Sequence, residues 1–337
     1  MNVFKKGIII AGASIAIVGV GISLYSLIFR NTLSSNTSMY RGNLQRTGVY
    51  NSPGPKELTK LKWTFPTGDE YVSSPAVSNG VVYFGSGDSN LYAVDVNTGK
   101  KLWQFPTGDK YISSPAVSNG VVYFGSHDGN LYAVNVNTGR QKWQFPTGDR
   151  GISSSPAISE GVVYFSSLGN IFYAVDINTG QELWRFSTDD REITSSPAVS
   201  EGVAYFGTLD GNLYAVDINT GQELWQFPTG DWIRSSPAVS DGVVYFGSYD
   251  SNFYAVDINT GRQKWQFSTD DFIDSAPAVS DGVVYFGSDD GNLYALNINT
   301  GKKLWQFSTD EKIGSAPAVS DGVVYFGSHN GNLYAVD

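Results

Sequence analysis

The 337-residue sequence contains no cysteine, two histidines and two methionines. Without cysteine the chain has no disulfide framework, no thiolate metal site, no cysteine nucleophile and no acylated-cysteine anchor of the bacterial lipoprotein kind. The histidines, His127 and His329, are isolated variants in otherwise repeated loops. No H-E-x-x-H motif, Ser-His-Asp set or phosphate-cradling glycine loop feeding a helix is present. The Asp-Gly-Asn turns lack the ligand spacing of an EF-hand. Excess positive charge is missing where it would matter for nucleic acid: residues 63–337 carry a net charge of −17, against +7 for residues 1–62. An acidic body argues against a phosphate-backbone partner and favours cationic partners, or simply solubility.

Long apolar runs are also scarce, with one exception. Residues 7–29 hold no charge and are flanked by Lys5, Lys6 and Arg30. At about 1.5 Å per residue, a helix of this length spans a hydrocarbon core of about 30 Å. The run exceeds a typical cleaved signal peptide and no A-x-A site follows it, so residues 1–30 read as an uncleaved signal-anchor, with cleavage as the alternative. Lys5 and Lys6 favour a cytoplasmic N-terminus, which puts the rest on the periplasmic or extracellular side of the membrane. Residues 31–38 are small and polar and read as a flexible linker; residues 39–60, rich in Gly and Pro, read as an ordered lead-in.

What is abundant is repetition. Trp recurs at 63, 103, 143, 184, 225, 265 and 305, and Pro of an S-[SA]-P-A motif at 75, 115, 156, 197, 237, 277 and 317. Each period of 40 or 41 residues holds four short runs rich in Val, Tyr and Phe, separated in the first period by Asn79-Gly80, Asp88-Ser89-Asn90 and Asn97-Thr98-Gly99 turns, with no helical periodicity. Four antiparallel strands per period make a propeller blade. The reading is an all-β, seven-bladed β-propeller over residues 61–337, closed by the N-terminal strand around Trp63, plus one N-terminal transmembrane helix.

The motif A-x-D-x-N-T-G-x-x-x-W, as in Ala93, Asp95, Asn97, Thr98, Gly99 and Trp103, resembles the tryptophan-docking repeat of the PQQ-like propeller superfamily. That superfamily includes quinoprotein dehydrogenases and the propeller subunit of the outer-membrane β-barrel assembly machine. The resemblance covers residues 63–337, and residues 41–48, RGNLQRTG, look like the stretch that precedes such domains. It implies that each Trp packs between blades while Asp95, Asp176, Asp217 and Asp257 set turns; Asn135 and Asn297 at the same position need no carboxylate. It also brings PQQ and Ca²⁺ into view as cofactors. The residues give no support to either, because the adjacent cysteine pair of the dehydrogenases has no counterpart.

Since the repeats are so alike, their differences locate anything specific. Variation concentrates on the interblade connections and on the turns between second and third strands. Five residues before the repeat Pro stand Glu70, Lys110, Gly151, Glu192, Trp232, Phe272 and Lys312. Three before it stand Val72, Ile112, Ser153, Thr194, Arg234, Asp274 and Gly314, and one turn position reads Gly87, His127, Leu168, Leu209, Tyr249, Asp289 and His329. These loops carry 19 acids and five bases, an acidic rim. Trp232, the one Trp outside the repeat position, falls near Tyr249, Phe272, Arg234 and Asp274, with Asp231 and Asp271 alongside. Exposed aromatics beside an arginine are common interface anchors. These seven residues form the candidate binding site. The function expected is a membrane-tethered, exported protein-binding or scaffold module for a protein or peptide partner. The alternatives are a PQQ-dependent oxidoreductase and a small-ligand or carbohydrate sensor.

Overall fold

The chain divides into two units, Met1–Thr37 and Ser38–Asp337. The computed structural model describes residues 38–49, 61–148, 150–189 and 191–337, all of them in the second. The membrane-helix reading for residues 7–29, most of the linker, and lead-in residues 50–60 lie outside the described residues. Among the described residues no helix is long and apolar enough to cross a membrane.

Turn chemistry sets the strands. Asn79 and Gly80 both take positive φ (48° and 76°), the left-handed pair that matches the twist of a tight hairpin. They join β1 (Ala76–Ser78) to β2 (Val81–Ser86), followed by β3 (Asn90–Asp95) and β4 (Lys101–Pro106), hydrogen-bonded in that order. The β3–β4 turn is locked by Asp95, whose Oδ1 accepts from the amides of Asn97 and Thr98 and from the Thr98 hydroxyl. Asn135 and Asn297 accept the same three bonds through an amide oxygen, so the turn needs an acceptor and not a charge. Five more four-stranded antiparallel sheets repeat this pattern over residues 116–146, 157–187, 198–228, 238–268 and 278–308. The seventh has three strands, β25 (Ala318–Ser320), β26 (Val323–Gly327) and β27 (Leu333–Val336), numbering all strands in chain order. This is β-propeller architecture, one sheet per repeat.

Adjacent blades are coupled in three ways. The indole N–H of Trp103 donates to Val136 O of the following blade (2.8 Å), and its ring lies over Gly139, where a Cβ would stand 2.9 Å away. Trp63, Trp143, Trp184, Trp225 and Trp265 make the equivalent bond at 2.9–3.1 Å. These Trp residues are half-buried and structural. Phe105, two residues on, meets Phe124 and Tyr132 of the next blade edge-on. Third, in five of the six connections between successive blades a fully buried isoleucine (Ile112, Ile152, Ile233, Ile273, Ile313) sits over a β-strand glycine of the preceding blade (Gly85, Gly125, Gly207, Gly247, Gly287), so close that any Cβ there would overlap it.

One expectation is corrected. Residues 61–66 are not a strand and do not complete the seventh sheet. Trp63 and Phe65 are committed to the first blade, against Gly99, Phe84 and Tyr92, and β27 stays an edge. Leu333 is 78% exposed where Leu91, Leu131, Leu213 and Leu293 are fully buried. Val72, at the isoleucine position, is 49% exposed, and no isoleucine lies over Gly327.

Residues 38–49 run along the innermost strands. Ser38 pairs with Val117, and the carbonyls of Leu44, Gln45, Thr47 and Gly48 accept from the amides of Val199, Val239, Val279 and Val319 in turn.

Candidate functional site

Two loop types meet on one face of each blade. The amide at the start of each β2–β3-type turn donates to a carbonyl of the incoming connection: Gly87 to Tyr71, His127 to Tyr111, Leu168 to Gly151, Leu209 to Glu192, Tyr249 to Trp232, Asp289 to Phe272 and His329 to Lys312. These bonds identify the equivalent positions around the ring. They correct the sequence register, because counting back from the repeat Pro aligns Glu70 and Lys110 with Trp232 and Phe272. The true equivalents are Tyr71 and Tyr111. The connections to the third and later blades have gained one residue between the buried isoleucine and the Pro, so Ser153, Thr194, Arg234, Asp274 and Gly314 occupy a position that the first two connections lack. Counting from the isoleucine would have found this.

The candidate residues of the fifth and sixth blades come together. Tyr249 stacks on Phe272 with ring centroids 4.9 Å apart and planes within 5°, and Trp232 lies 5.7 Å away on Tyr249. Such contacts are worth about 0.5–1.5 kcal/mol each beyond burial. Trp232 remains 45% and Phe272 40% exposed. Both are held from below, since Ile233 and Ile273, the next residues, are the buried plugs over Gly207 and Gly247. The platform is therefore fixed at its base and open above.

Arg234 ties the platform to its charged flank. Its guanidinium donates to the Tyr249 hydroxyl (3.1 Å), lies over that ring (5.8 Å) and approaches the Asp274 carboxylate (4.0 Å). Burial raises the Asp274 carboxyl above its ordinary range, opposed by Arg234 and reinforced by Asp289. Burial also raises the Tyr249 phenol. Lys312 donates to Asp289 (2.8 Å), which raises the pKa of its ammonium. Asp231 and Asp271 are placed differently from the others: each carboxylate accepts the amide of the aromatic that follows it, Trp232 or Phe272, at 2.8 Å. They shape the turns that present the rings.

The same division runs round the face. Asp88, Asp128, Asp250 and Asp290 each accept from a Tyr hydroxyl and from an amide of the incoming connection, and act as locks. Four of the five bases are engaged, in Arg150–Glu192, Arg191–Asp210, Arg234–Asp274 and Lys312–Asp289 pairs. The fifth, Lys110, lies over Tyr111. A second aromatic group that the sequence reading missed stands at the first two blades: Tyr71 meets Tyr111 edge-on (5.5 Å) and Tyr111 packs on His127 (4.9 Å), whose pKa burial lowers.

Among the described residues no three His, Cys, Asp or Glu side chains are grouped to hold a metal. The Arg46 guanidinium donates to the main-chain carbonyls of Tyr40, Ser155, Pro156 and Pro197.

Comparison with known proteins agrees with the architecture. No curated protein matches the chain. Among solved structures it is similar to the computationally designed Ika8 protein, with 22% identity and a TM-score of 0.72 over 78% of this chain and 82% of that one. It is similar to BamB from Moraxella catarrhalis, with 22% identity and a TM-score of 0.65 over 79% and 87%. A europium-containing methanol dehydrogenase matches at 16% identity and a TM-score of 0.65 over 78% and 72%. At these identities the likeness shows the fold. The family model described as outer membrane protein assembly factor BamB matches residues 56–177 and 169–337, and the chain belongs to this family of PQQ-like β-propellers.

Proposed function

We propose that this protein is a membrane-tethered scaffold that holds a protein or peptide partner on the loop face carrying Trp232, Tyr249 and Phe272. The observation that carries the reading is the open, base-fixed aromatic stack beside Arg234 and Asp274. A partner that covers it buries apolar surface without first ordering the rings, which keeps the entropic cost of binding low. The family model is described as an outer membrane protein assembly factor, which is in keeping with a protein partner. The excess of carboxylates over bases in these loops favours a cationic one. Tethering rests on the uncharged residues 7–29, and Lys5 and Lys6 favour the periplasmic or extracellular side for the face.

The test compares detergent-solubilised full-length protein with its Trp232→Ala/Phe272→Ala variant in capture from the native membrane. A partner retained by wild type and lost from the variant, with unchanged thermal stability, supports the reading. Equal recovery from both removes the platform from the site.

A further inference from the structure

The axis of the propeller is lined by β-strands whose axis-facing amides need acceptors, and the chain supplies them itself. Residues 38–49 reach every blade in sequence. The Val77 amide donates to the Ser38 hydroxyl (3.2 Å), and Ser38 and Val117 exchange both backbone bonds (2.6 and 3.0 Å). At the third and fourth blades the contact is made by Arg46, fully buried, whose guanidinium donates to Ser155 O, Pro156 O and Pro197 O at 3.0–3.1 Å and whose Nη1 also donates to Tyr40 O. The amides of Val199, Val239, Val279 and Val319 then donate to Leu44, Gln45, Thr47 and Gly48. Gly48, at φ +70°, sits in the left-handed region with tight surroundings: a Cβ would stand 2.8 Å from the Arg41 guanidinium and 3.1 Å from Pro317 O. Met39 and Leu44 are buried in the apolar core beside the third blade.

The chemistry is that of a bound extended peptide. Its carbonyls are read by inner-strand amides, one arginine is read by three wall carbonyls from two blades, and one glycine is favoured by its left-handed backbone. We propose that the propeller axis is a peptide-binding channel occupied in cis by residues 38–49, and that this resident peptide clasps the ring. Its first residue holds the first two blades and Gly48 holds the seventh, on either side of the junction that residues 61–66 leave unpaired. Strand pairing does not seal that junction, so the axial segment is the connection across it. This site is separate from the aromatic platform, and its occupant is a specific segment.

Hydrogen exchange with mass spectrometry on the full chain in detergent tests this. Amides of residues 38–48 in wild type are expected to exchange within about tenfold of those of the inner strands; exchange as fast as in the free synthetic peptide overturns the clasp. In Arg46→Ala, exchange should rise by at least tenfold in the inner strands β13 (Ala198–Ser200) and β21 (Ala278–Ser280). The outer strand β16 (Glu223–Pro228) should keep its rate. Arg46→Lys, which keeps the charge but not the fork, is the variant to use if Arg46→Ala does not fold. Excess synthetic peptide 38–49 added to the variant should restore inner-strand protection, and the same peptide with Arg46→Ala should not. Equal effects of the two peptides, or none from either, contradict a peptide-binding channel.

Discussion

The glycine that closes each Asn-Thr-Gly turn offers a paired experiment with its own control. Gly180 has φ +71° and supports the Trp143 ring, so a Cβ would stand 2.7 Å from Cδ2. Gly161 has φ +82° in the β9–β10 turn of the same blade, between Ala157–Ser159 and Val162–Ser166, and a Cβ there meets nothing within 4 Å. Alanine at either position bears a left-handed backbone cost of about 1–2 kcal/mol, less about 0.4–1 kcal/mol for the stiffer unfolded chain. Gly161→Ala should therefore lose about 1 kcal/mol. Gly180→Ala adds displacement of a docked indole, about 1–3 kcal/mol for overpacking, together with the Trp143 bond to Ile177 O (3.1 Å), about 1 kcal/mol. At roughly 2 °C per kcal/mol for a unit of this size, the Tm should fall by about 2 °C in the first variant and about 6–10 °C in the second. Differential scanning fluorimetry of both proteins, with near-UV circular dichroism to follow the indoles, reads the difference. Equal losses would refute the claim that the repeat Trp residues are docked structural elements.

Other outcomes follow from the same geometry. Ile273→Ala empties the slot over Gly247 and should cost about 2–5 kcal/mol in denaturant unfolding, while Trp232→Ala, exposed above it, should cost less than about 1 kcal/mol. Arg46→Ala leaves three wall carbonyls without their cationic donor and should destabilise by on the order of 3 kcal/mol, with Arg46→Lys recovering only part. Asp95, Asp176, Asp217 and Asp257 have folded pKa values lowered by the bonds their carboxylates accept from the Thr hydroxyl and amide of the turn. Their contribution is present above the unfolded value of about 3.9 and is lost as pH falls through the lower folded values. Replacing all four by Asn, as at Asn135 and Asn297, should therefore flatten the fall of Tm with pH below about 4; an unchanged acid slope would contradict this.

The fold was legible because one solution to packing is written seven times. Strand composition, turn residues and the Trp period each repeat, and their agreement leaves one architecture. Closure was not legible, because the segment around Trp63 has the same sequence signature whether it completes the last sheet or rests on the first blade. The choice lies in where Trp63 and Phe65 find their partners, and those are Gly99, Phe84 and Tyr92. At the site, Trp232, Tyr249 and Phe272 stood out as departures from a repeat and lie together. Tyr71 and Tyr111 were hidden by a single-residue difference in connection length. The acidic rim was legible as a count, but not its division into turn locks and paired groups, which depends on distances between loops of neighbouring blades. The role of residues 38–49 was invisible, since their partners are main-chain amides and carbonyls that leave no mark in side-chain pattern.

The most direct test of the proposed binding face is site-specific photocrosslinking in the native membrane. A photoreactive residue is placed in turn at Trp232, Phe272, Asn219 and Asn259. The last two are exposed in Asn-Thr-Gly turns on the opposite face. A discrete adduct from positions 232 and 272, with none from 219 and 259, is the predicted result. Adducts from the Asn positions alone, or equally from all four, would contradict it.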